Sequence, residues 1–288
     1  MEEIISKAAT LIEALPYMQR FRGEIFVIKY GGSFMDSNDP EVRHQVARDI
    51  VFLETVGINP VVVHGGGKAI TRALDSAGLE AKFVQGYRVT DAATIDVVER
   101  VLSREINPDI VEAIKGFGGK AKGFAGSSVF RCRKFFAPDN EVDLGFVGEV
   151  CEVDTAPLRE CIRRNVTPVI SPTASSEDGG VYNCNADIAA AKTAIALKAR
   201  RLVFMSDVPG LLRDQANVDS LVSHLSVDDV PALKKAGVVT EGMIPKVDSA
   251  LAAIQNGVEK VQFVDGRIPH SVLLEIFTDA GVGTEVVI

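Results

Sequence analysis

The sequence predicts an α/β protein, a three-layer α/β/α sandwich whose central sheet is mostly parallel. Short apolar runs alternate with helix-like segments along almost the whole chain, as in "EIFVIKYGG" (24–32), "INPVVVHGGG" (58–67) and "RLVFMSD" (201–207). Runs that are apolar at nearly every position are typical of parallel strands that helices cover on both faces. Glycines follow several of these runs, where the loops of a parallel sheet converge and ligands bind.

The first half of the chain opens with a predicted amphipathic helix, because Ile4, Ala8, Ile12 and Leu15 recur at helical spacing. Strands are predicted at 24–32 and 58–67, and further helices near 39–57, 67–77, 91–105 and 107–116. The last two helices begin at "TD" and "NPD", which suit helix N-termini. The region 121–152 contains short β-rich pieces separated by turns and therefore predicts hairpins.

The second half continues the same alternation. A helix near 155–163 precedes the strand "VTPVIS", the loop "PTASSEDGG" and a long alanine-rich helix that begins near residue 185. The remaining predicted elements are the strand "RLVFMSD", helices at 226–236 and 243–256, the strand "KVQFVDG", a helix at 270–277 and the strand "TEVVI". A boundary between two lobes is expected near residue 196, after the long helix.

Composition excludes several classes of function. The formal net charge of −8 argues against non-specific binding to nucleic acid, which needs basic patches. No apolar run approaches the length of a membrane helix, and the acidic start "MEEIISKAATLIEALPYMQRF" is not a signal peptide. The four cysteines and four histidines show no metal-ligand spacing, so a protein-held zinc site is not expected. We expect reduced cysteines and a cytoplasmic location.

The stretch "VVVHGGGKAI" (61–70) resembles three known devices, and each lacks a required residue. A Walker phosphate loop would need a glycine at Val62 and a hydroxyl at Ala69. A dinucleotide fingerprint would need a glycine at Ile70. A hydrolase oxyanion loop would need a G-x-S-x-G nucleophile motif, which the sequence does not contain.

With these three loop types excluded, what remains is an ability to bind anions that any glycine turn at the start of a helix has. Its exposed N–H groups and the positive end of the helix suit an anion. Gly31 and Gly32 form a similar turn after the preceding strand, and only Tyr30 separates them from Lys29. Asn183, Asn185 and Asp187 alternate before the long helix, and Lys246 lies in the first turn of a later one. Each of these residues alone could be a helix cap or a solvated surface group, whereas together they favour an anionic ligand.

Six motifs carry a resemblance to a known family. "FVIKYGGS", "VVVHGGGKAI", "GYRVTD", "NCNAD", "FMSDVPGLL" and "GMIPKV" follow one another in this order. Over nearly the whole chain, from about residue 10 to 288, they resemble the amino acid kinase family. "HGGG" with "G-x-R-V-T" points to the branch that uses ATP to phosphorylate the γ-carboxylate of N-acetyl-L-glutamate in arginine biosynthesis. The rival hypotheses are a sibling kinase for another carboxylate or carbamate, and a non-catalytic arginine sensor.

The resemblance implies a role for individual residues. The residues expected to act in phosphoryl transfer are Lys29, Lys246 and Asp187, and those expected to bind the acyl substrate are Gly66, Gly67, Arg88 and Asn183. The residues expected to border ATP are Gly31, Gly32, Ser206, Asp207, Gly210, Leu211 and Met243. Mg²⁺ is expected to arrive with the nucleotide, without a metal site of the protein itself. Because a carboxylate with a pKa of about 4 is already ionised, no base is needed, and His64 is expected to be structural or a partner of its loop.

The resemblance also implies regulation by L-arginine. Residues 1–22 would serve oligomerisation or regulation, residues 23–196 would bind acetylglutamate and dimerise, and residues 197–288 would bind ATP and arginine. The expected arginine-site residues are Tyr17, His270, Ser271, Glu275 and Gly283. A homo-oligomer is expected, a hexamer built as a trimer of dimers or a dimer, while binding of a PII-type signalling protein stays open. "GFAGSS" (123–128) and "SPTASSEDG" (171–179) depart from the family pattern and leave substrate affinity open.

Overall fold

The structure is a computed structural model that describes residues 2–32, 35, 40–136, 143–239, 242–279 and 281–288. Its helices are α1 (Glu2–Phe21), α2 (Pro40–Thr55), α3 (Gly67–Ser76), α4 (Ala92–Glu99), α5 (Asn107–Gly116), α6 (Ala156–Arg163), α7 (Ala186–Leu197), α8 (Val230–Lys235), α9 (Ile244–Gln255) and α10 (Ser271–Phe277). A π-helical segment, Arg100–Ile106, joins α4 to α5.

The strands form one large sheet and two small ones. They are β1 (Ile25–Tyr30), β2 (Asn59–His64), β3 (Phe83–Val84), β4 (Tyr87–Arg88), β5 (Ala121–Phe124), β6 (Phe130–Lys134), β7 (Val147–Val153), β8 (Thr167–Ile170), β9 (Thr173–Ser176), β10 (Val181–Cys184), β11 (Arg201–Ser206), β12 (His224–Ser226), β13 (Lys260–Asp265) and β14 (Thr284–Val287). The large sheet has the order β12-β14-β13-β11-β1-β2-β8-β5. Its neighbouring strands are parallel except for the antiparallel pair β13 and β14.

Helices cover both faces of this sheet. Val27 and Phe204 point to one face, where they share a core with α6, α7, α8 and α9. Their chain neighbours Phe26 and Val203 point to the other face and pack against α1, α2, α5 and α10. Successive residues of a strand alternate between faces, so a strand that is covered on both sides is apolar throughout. The predicted three-layer sandwich with a mostly parallel sheet is therefore confirmed.

The β-rich region differs from the prediction. β6 and β7 pair antiparallel as expected, but β5 lies parallel to β8 at the edge of the large sheet. The predicted loop "PTASSEDGG" contains β9, which pairs with β10 and β6 and closes a four-stranded barrel, β10-β7-β6-β9. A polar segment such as "TASS" carries no hydrophobic strand signal, and only its pairing on both edges makes it a strand.

The two helices predicted at 91–105 and 107–116 are continuous in the structure. The π-helical segment between them ends at Ile106, and Asn107 and Pro108 follow directly. A proline inside a helix cannot donate a backbone hydrogen bond, and widened turns are one way in which a helix adjusts to a disrupted hydrogen-bond pattern. The segment places Leu102 and Ile106 against the glycine turn that follows β2.

The large sheet crosses the lobe boundary expected near residue 196, because β1 pairs with β11 from Phe26 with Arg201 to Lys29 with Phe204. Helix α1, expected to serve oligomerisation or regulation, packs on α10 near the end of the chain. The division into residues 1–22, 23–196 and 197–288 stays a prediction. No helix among the described residues is long and apolar enough to cross a membrane.

We predict that Gly126→Ala destabilises the fold. A Cβ at this position would lie 2.0 Å from the carbonyl oxygen of Ser171 and 2.2 Å from that of Thr173, which are backbone atoms that cannot rotate away. We expect a loss of roughly 1–3 kcal/mol or more in the free energy of unfolding, measured in urea.

Gly116→Ala is the matched control, because a Cβ there meets open space at the end of α5. This variant should be neutral or stabilised by up to about 1 kcal/mol, as expected for alanine in a helix. Equal stability of the two variants would contradict the backbone contact as the cause.

Candidate active site

Two lysines converge on one buried carboxylate at the carboxyl edge of the sheet. Lys29 lies near the end of β1 on the same face as Val27, and Asp187 lies in the first turn of α7, which packs on that face. Lys246 comes from the first turn of α9. The Nζ of Lys29 is 3.0 Å from Oδ1 of Asp187, and the Nζ of Lys246 is 2.6 Å from Oδ2.

The two lysines determine the charge of this carboxylate. Burial opposes the ionisation of Asp187, but the charges of Lys29 and Lys246 outweigh it and lower the pKa of the carboxyl to about 2. Lys246 makes a hydrogen bond with Oδ2, and Lys29 lies within ion-pair distance of Oδ1. Each lysine therefore faces its own oxygen of the carboxylate.

The three polar residues that alternate before α7 have different tasks. Asn185 caps the helix, because its Oδ1 accepts the N–H groups of Asp187 (2.8 Å) and Ile188 (3.2 Å). Asp187 joins the lysines, and its charge is favourable in the first turn of a helix. Asn183 is half-buried in β10, and its Nδ2 lies 3.4 Å from Oγ1 of Thr90. The helix-cap interpretation thus holds for Asn185, whereas Asp187 pairs with the two lysines.

The glycine turns after β1 and β2 lie side by side. The N–H of Gly65 donates to the carbonyl oxygen of Tyr30 at 2.7 Å. Gly31 leaves room for Lys29, since a Cβ on Gly31 would lie 2.4 Å from the lysine Nζ. Gly66 lies under Leu102 and Ile106, whose methyl groups would be 2.7 and 2.5 Å from a Cβ. Gly31 and Gly66 are therefore glycines because a side chain there would collide with these neighbours.

The second turn ends in the N-terminus of α3. Helix α3 begins at Gly67, and the first N–H groups of any helix have no acceptor within it. A Cβ on Gly67 would meet nothing within 4 Å, so open space lies in front of this residue. A cleft lined in part by Gly32, Gly66, Gly67 and Asp207 joins the two glycine turns to the end of β11.

Arg88 is a buried cation with a free hydrogen-bond donor. Its side chain stacks 4.6 Å from the ring centroid of Phe83 and donates through Nη2 to the carbonyl oxygen of Gly67 and to Oγ1 of Thr71, both at 2.9 Å. Its Nη1 is buried and has no partner. Burial lowers the pKa of Arg88, and no carboxylate among the described residues lies within ion-pair distance. A guanidinium in this state suits an anionic ligand.

His64 is fully buried at the end of β2. Its Nδ1 lies 2.8 Å from the carbonyl oxygen of Gly65, and its Nε2 lies 3.2 Å from Nδ2 of Asn107. Burial lowers the pKa of His64 to about 4, so the ring is neutral near pH 7. It is a partner of its own loop, as the sequence indicated.

The residues expected to border a nucleotide follow β11 and precede α9. Ser206 ends β11 with a buried Oγ that has no partner, Asp207 follows it, and Met243 precedes the first turn of α9. Gly210 and Leu211 instead pack on β14: a Cβ on Gly210 would lie 2.4 Å from Oγ1 of Thr284, and the N–H of Leu211 donates to the same oxygen. Residue 241, the start of the 241–246 segment, lies outside the described residues.

The expected arginine-site residues lie together around α1 and α10, on the opposite face of the sheet from α7 and α9. The hydroxyl of Tyr17 donates to a carboxylate oxygen of Asp279. His270 precedes α10, and its Nδ1 is 2.6 Å from Oδ1 of the buried Asp49. Burial raises the pKa of Asp49 to about 6, although the histidine opposes the shift.

Glu275 organises the turn that precedes β14. Its Oε2 accepts the N–H groups of Val282 (2.7 Å) and Gly283 (3.1 Å), and its Oε1 accepts a hydrogen bond from Gln262 (2.9 Å). The fifth expected residue, Ser271, has a buried Oγ without a partner. A carboxylate, a histidine and an unpaired hydroxyl around one helix are groups that can hold a small cationic ligand.

Comparison with known proteins decides the family. A sequence profile described as the amino acid kinase family matches residues 24–265, which is most of the chain. The chain belongs to the amino acid kinase family. The acetylglutamate kinase of Heliobacterium modesticaldum is 47% identical to it over 99% of both chains, and that of Aquifex aeolicus is 46% identical over 99% of both. The resemblance that the six motifs carried is confirmed.

Solved structures agree with this amino acid kinase assignment. An N-acetylglutamate synthase from Neisseria gonorrhoeae, in complex with coenzyme A and N-acetyl-glutamate, has a TM-score of 0.86 at 25% identity. It matches 98% of this chain, which spans only 63% of the synthase. The carbamate kinase of Giardia lamblia, bound to AMP-PNP, has a TM-score of 0.66 at 15% identity and supports the fold alone.

Several residues of this amino acid kinase site were not found from the sequence. Asn107 lies inside a predicted helix, and its only signal was its place in the "NPD" start. Thr90, the partner of Asn183, lies in the "GYRVTD" motif but was not predicted as a site residue, and Asp49, the partner of His270, carried no signal. Their contacts join residues that are 43 to 221 positions apart in the chain, and a local sequence pattern does not contain such contacts.

We predict that Asp187→Asn disables phosphoryl transfer. A neutral amide leaves the ammonium groups of Lys29 and Lys246 without the charge that holds them, and we expect kcat to fall by roughly a factor of 100 or more. Asp248→Asn in the same helix as Lys246 is the control, because Asp248 is half-exposed and pairs with Lys234. Its kcat should stay within about twofold of the parent value.

The pH dependence of stability of Asp187→Asn also tests the ion pairs of Asp187 with the two lysines. Because the folded pKa of Asp187 lies below its ordinary value of 3.8, the stabilisation by the cluster is full above about pH 4 and disappears as the pH falls towards 2. The difference in the free energy of unfolding between the parent and Asp187→Asn should shrink as the pH falls over this range. A constant difference would contradict the ion-pair assignment.

Proposed function

We propose that this protein transfers the γ-phosphoryl group of ATP to the γ-carboxylate of N-acetyl-L-glutamate, forming N-acetyl-L-glutamyl 5-phosphate for arginine biosynthesis. One observation carries the proposal: two lysine ammonium groups share one buried carboxylate beside two adjacent glycine turns. The relatives that match over the full length support it, since they are acetylglutamate kinases.

The chemistry requires positioning and neutralisation of charge. The acceptor carboxylate has an ordinary pKa near 4 and attacks as it is, so the site needs no base. The obstacle is the approach of this anion to a polyanionic triphosphate through a loose transition state. Lys29 and Lys246 neutralise the transferring phosphoryl group, and Asp187 holds the two ammonium groups near each other without itself reacting.

The acceptor side is formed by Gly66, Gly67, Arg88 and Asn183. The N–H groups at the start of α3 address the γ-carboxylate, while the unpaired Nη1 of Arg88 addresses the α-carboxylate. Asn183 completes the acceptor side from β10. This arrangement favours a dicarboxylate over a carbamate, which has no second carboxylate for the guanidinium.

The nucleotide side is formed by Gly31, Gly32 and the ends of β11 and α9. Ser206, Asp207, Gly210, Leu211 and Met243 border it, with Gly210 and Leu211 acting through their packing on β14. The described residues contain no group of three histidine, cysteine, aspartate or glutamate side chains that could hold a metal. We assign Mg²⁺ to the phosphates of ATP, because this ion is usually held by substrate phosphates with one or two carboxylates.

We expect the acyl phosphate to form from N-acetyl-L-glutamate in a hydroxylamine trapping assay with Mg-ATP. Aspartate, glutamate and carbamate each replace N-acetylglutamate as the acceptor in separate parallel reactions. Arg88→Lys should keep the charge but lose the planar fork, and we expect kcat/KM for N-acetylglutamate to fall roughly 10- to 100-fold while KM for ATP is unchanged. No hydroxamate from N-acetylglutamate would overturn the proposed function.

We further infer that L-arginine inhibits the protein at the α1 and α10 site. An N-acetylglutamate synthase structure similar to this chain contains L-arginine, at 25% identity and a TM-score of 0.80. Tyr17, His270, Ser271, Glu275 and Gly283 would form the site. Assembly into a hexamer or a dimer, binding of a PII-type protein and the cytoplasmic location stay predictions.

Tyr17→Phe should reduce the response to arginine, because it removes the hydroxyl that ties α1 to Asp279 and keeps the ring. We expect the arginine concentration that halves the rate to rise about 10-fold at an unchanged basal rate, given the strength of a hydrogen bond to a charged group. Asp279→Asn is the matched variant, and the double variant should be no more resistant than either single one. Additive effects, or no inhibition of the parent, would contradict this site.

A further inference from the structure

A buried hydrogen-bond network lies behind the glycine turn and takes no part in the charges of the site. Its centre is His64, which is fully buried, and its anchor is Asn107, of which 3% is exposed. Nδ2 of Asn107 reaches both Nε2 of His64 (3.2 Å) and the carbonyl oxygen of Val169 in β8 (2.9 Å). A Cβ on Gly123 would lie 2.1 Å from Oδ1 of Asn107, so β5 carries a glycine where the amide passes.

The network selects one form of the imidazole. Since the carbonyl oxygen of Val169 can only accept, the nitrogen of the Asn107 amide faces it and also faces His64. Nε2 of His64 therefore accepts, and Nδ1 carries the proton and donates to the carbonyl oxygen of Gly65 at 2.8 Å. Both ring nitrogens are committed, so the ring has no free position for acid or base catalysis.

The peptide bond between Gly65 and Gly66 links the hydrogen bond of His64 to the direction of the N–H of Gly66. In a planar trans peptide, the carbonyl of one residue and the N–H of the next point in opposite directions. A hydrogen bond that holds the carbonyl of Gly65 towards His64 therefore turns the N–H of Gly66 the other way. Leu102 and Ile106 cover Gly66 where its side chain would be, which restricts the turn further.

We propose that His64 and Asn107 are positioning residues that aim the N–H of Gly66 at the acceptor carboxylate. The inference rests on the proposed function and deepens it, because it assigns the geometry of the acceptor turn to a pair of buried side chains. The glycine turn has no side chains of its own to hold its conformation. His64 at the end of β2 supplies that constraint, and Asn107, the first residue of α5, holds His64 and is itself bonded to β8.

Two polar variants of His64 separate the two contacts. In His64→Asn, the side-chain amide can take the place of Nδ1 and keep the donor to Gly65, whereas in His64→Gln it reaches the place of Nε2 and keeps only Asn107. We expect His64→Asn to retain kcat/KM for N-acetylglutamate within about fivefold. We expect His64→Gln to lose roughly 10- to 100-fold, the scale of a misdirected backbone donor.

The measurements are KM and kcat for each substrate, and calorimetric titration with N-acetylglutamate and, separately, AMP-PNP. The loss in His64→Gln should appear in KM and affinity for N-acetylglutamate, while KM for ATP and the affinity for AMP-PNP stay within about twofold, since His64 contacts Gly65 of the acceptor turn. Asn107→Ala should show the same acceptor-side loss. Asn59→Ala is the control, because it removes a hydrogen bond to Gly23 at the other end of β2.

The outcomes are distinct. Equal losses for both substrates in His64→Gln, or equal behaviour of the Asn and Gln variants, would overturn the positioning role and leave a merely structural one. If His64→Gln fails to fold, Asn107→Ala carries the same comparison between the two substrates. If the parent protein itself neither binds nor phosphorylates N-acetylglutamate, the proposed function fails first.

Discussion

The active site depends on one buried carboxylate between two lysines. Asp187 joins the end of β1 to the starts of α7 and α9, three parts of the chain that are more than 50 residues apart. Burial opposes the charge of this carboxyl, and the two cations outweigh the effect of burial. The same carboxylate in turn holds the two ammonium groups near each other. The parallel sheet makes the cluster possible by placing these elements at one edge.

The glycines around the cluster satisfy different constraints, although they look alike in the sequence. Gly31 leaves room for the ammonium group of Lys29, and Gly66 for the side chains of Leu102 and Ile106. Gly67 faces open space at the start of α3. The turn that most resembles a nucleotide loop thus belongs to the acceptor side in the proposed function. The turn after β1 belongs to the nucleotide side in the same proposal.

Elements with strong hydrophobic patterns could be predicted, and elements defined by pairing could not. The buried strands β1, β2, β8, β11 and β13 are apolar because both of their faces are covered, so the sequence reports their burial directly. By contrast, β9 is polar and exists through its neighbours β6 and β10. The pairing of β5 with β8 likewise depends on a partner more than 40 residues away.

The sequence by itself determined the fold class and the family, and it predicted which lysines, glycines and carboxylate belong to the site. These residues follow strands, and strand ends of a parallel sheet meet at one edge, so order along the chain already implies proximity. Only the tertiary structure decided that Asn185 is a cap while Asp187 pairs with both lysines, that Arg88 keeps a free donor, and that Asn107 orients His64. The reason is physical: which hydrogen bonds a polar side chain makes depends on the few ångströms between elements, and sequence spacing does not specify them.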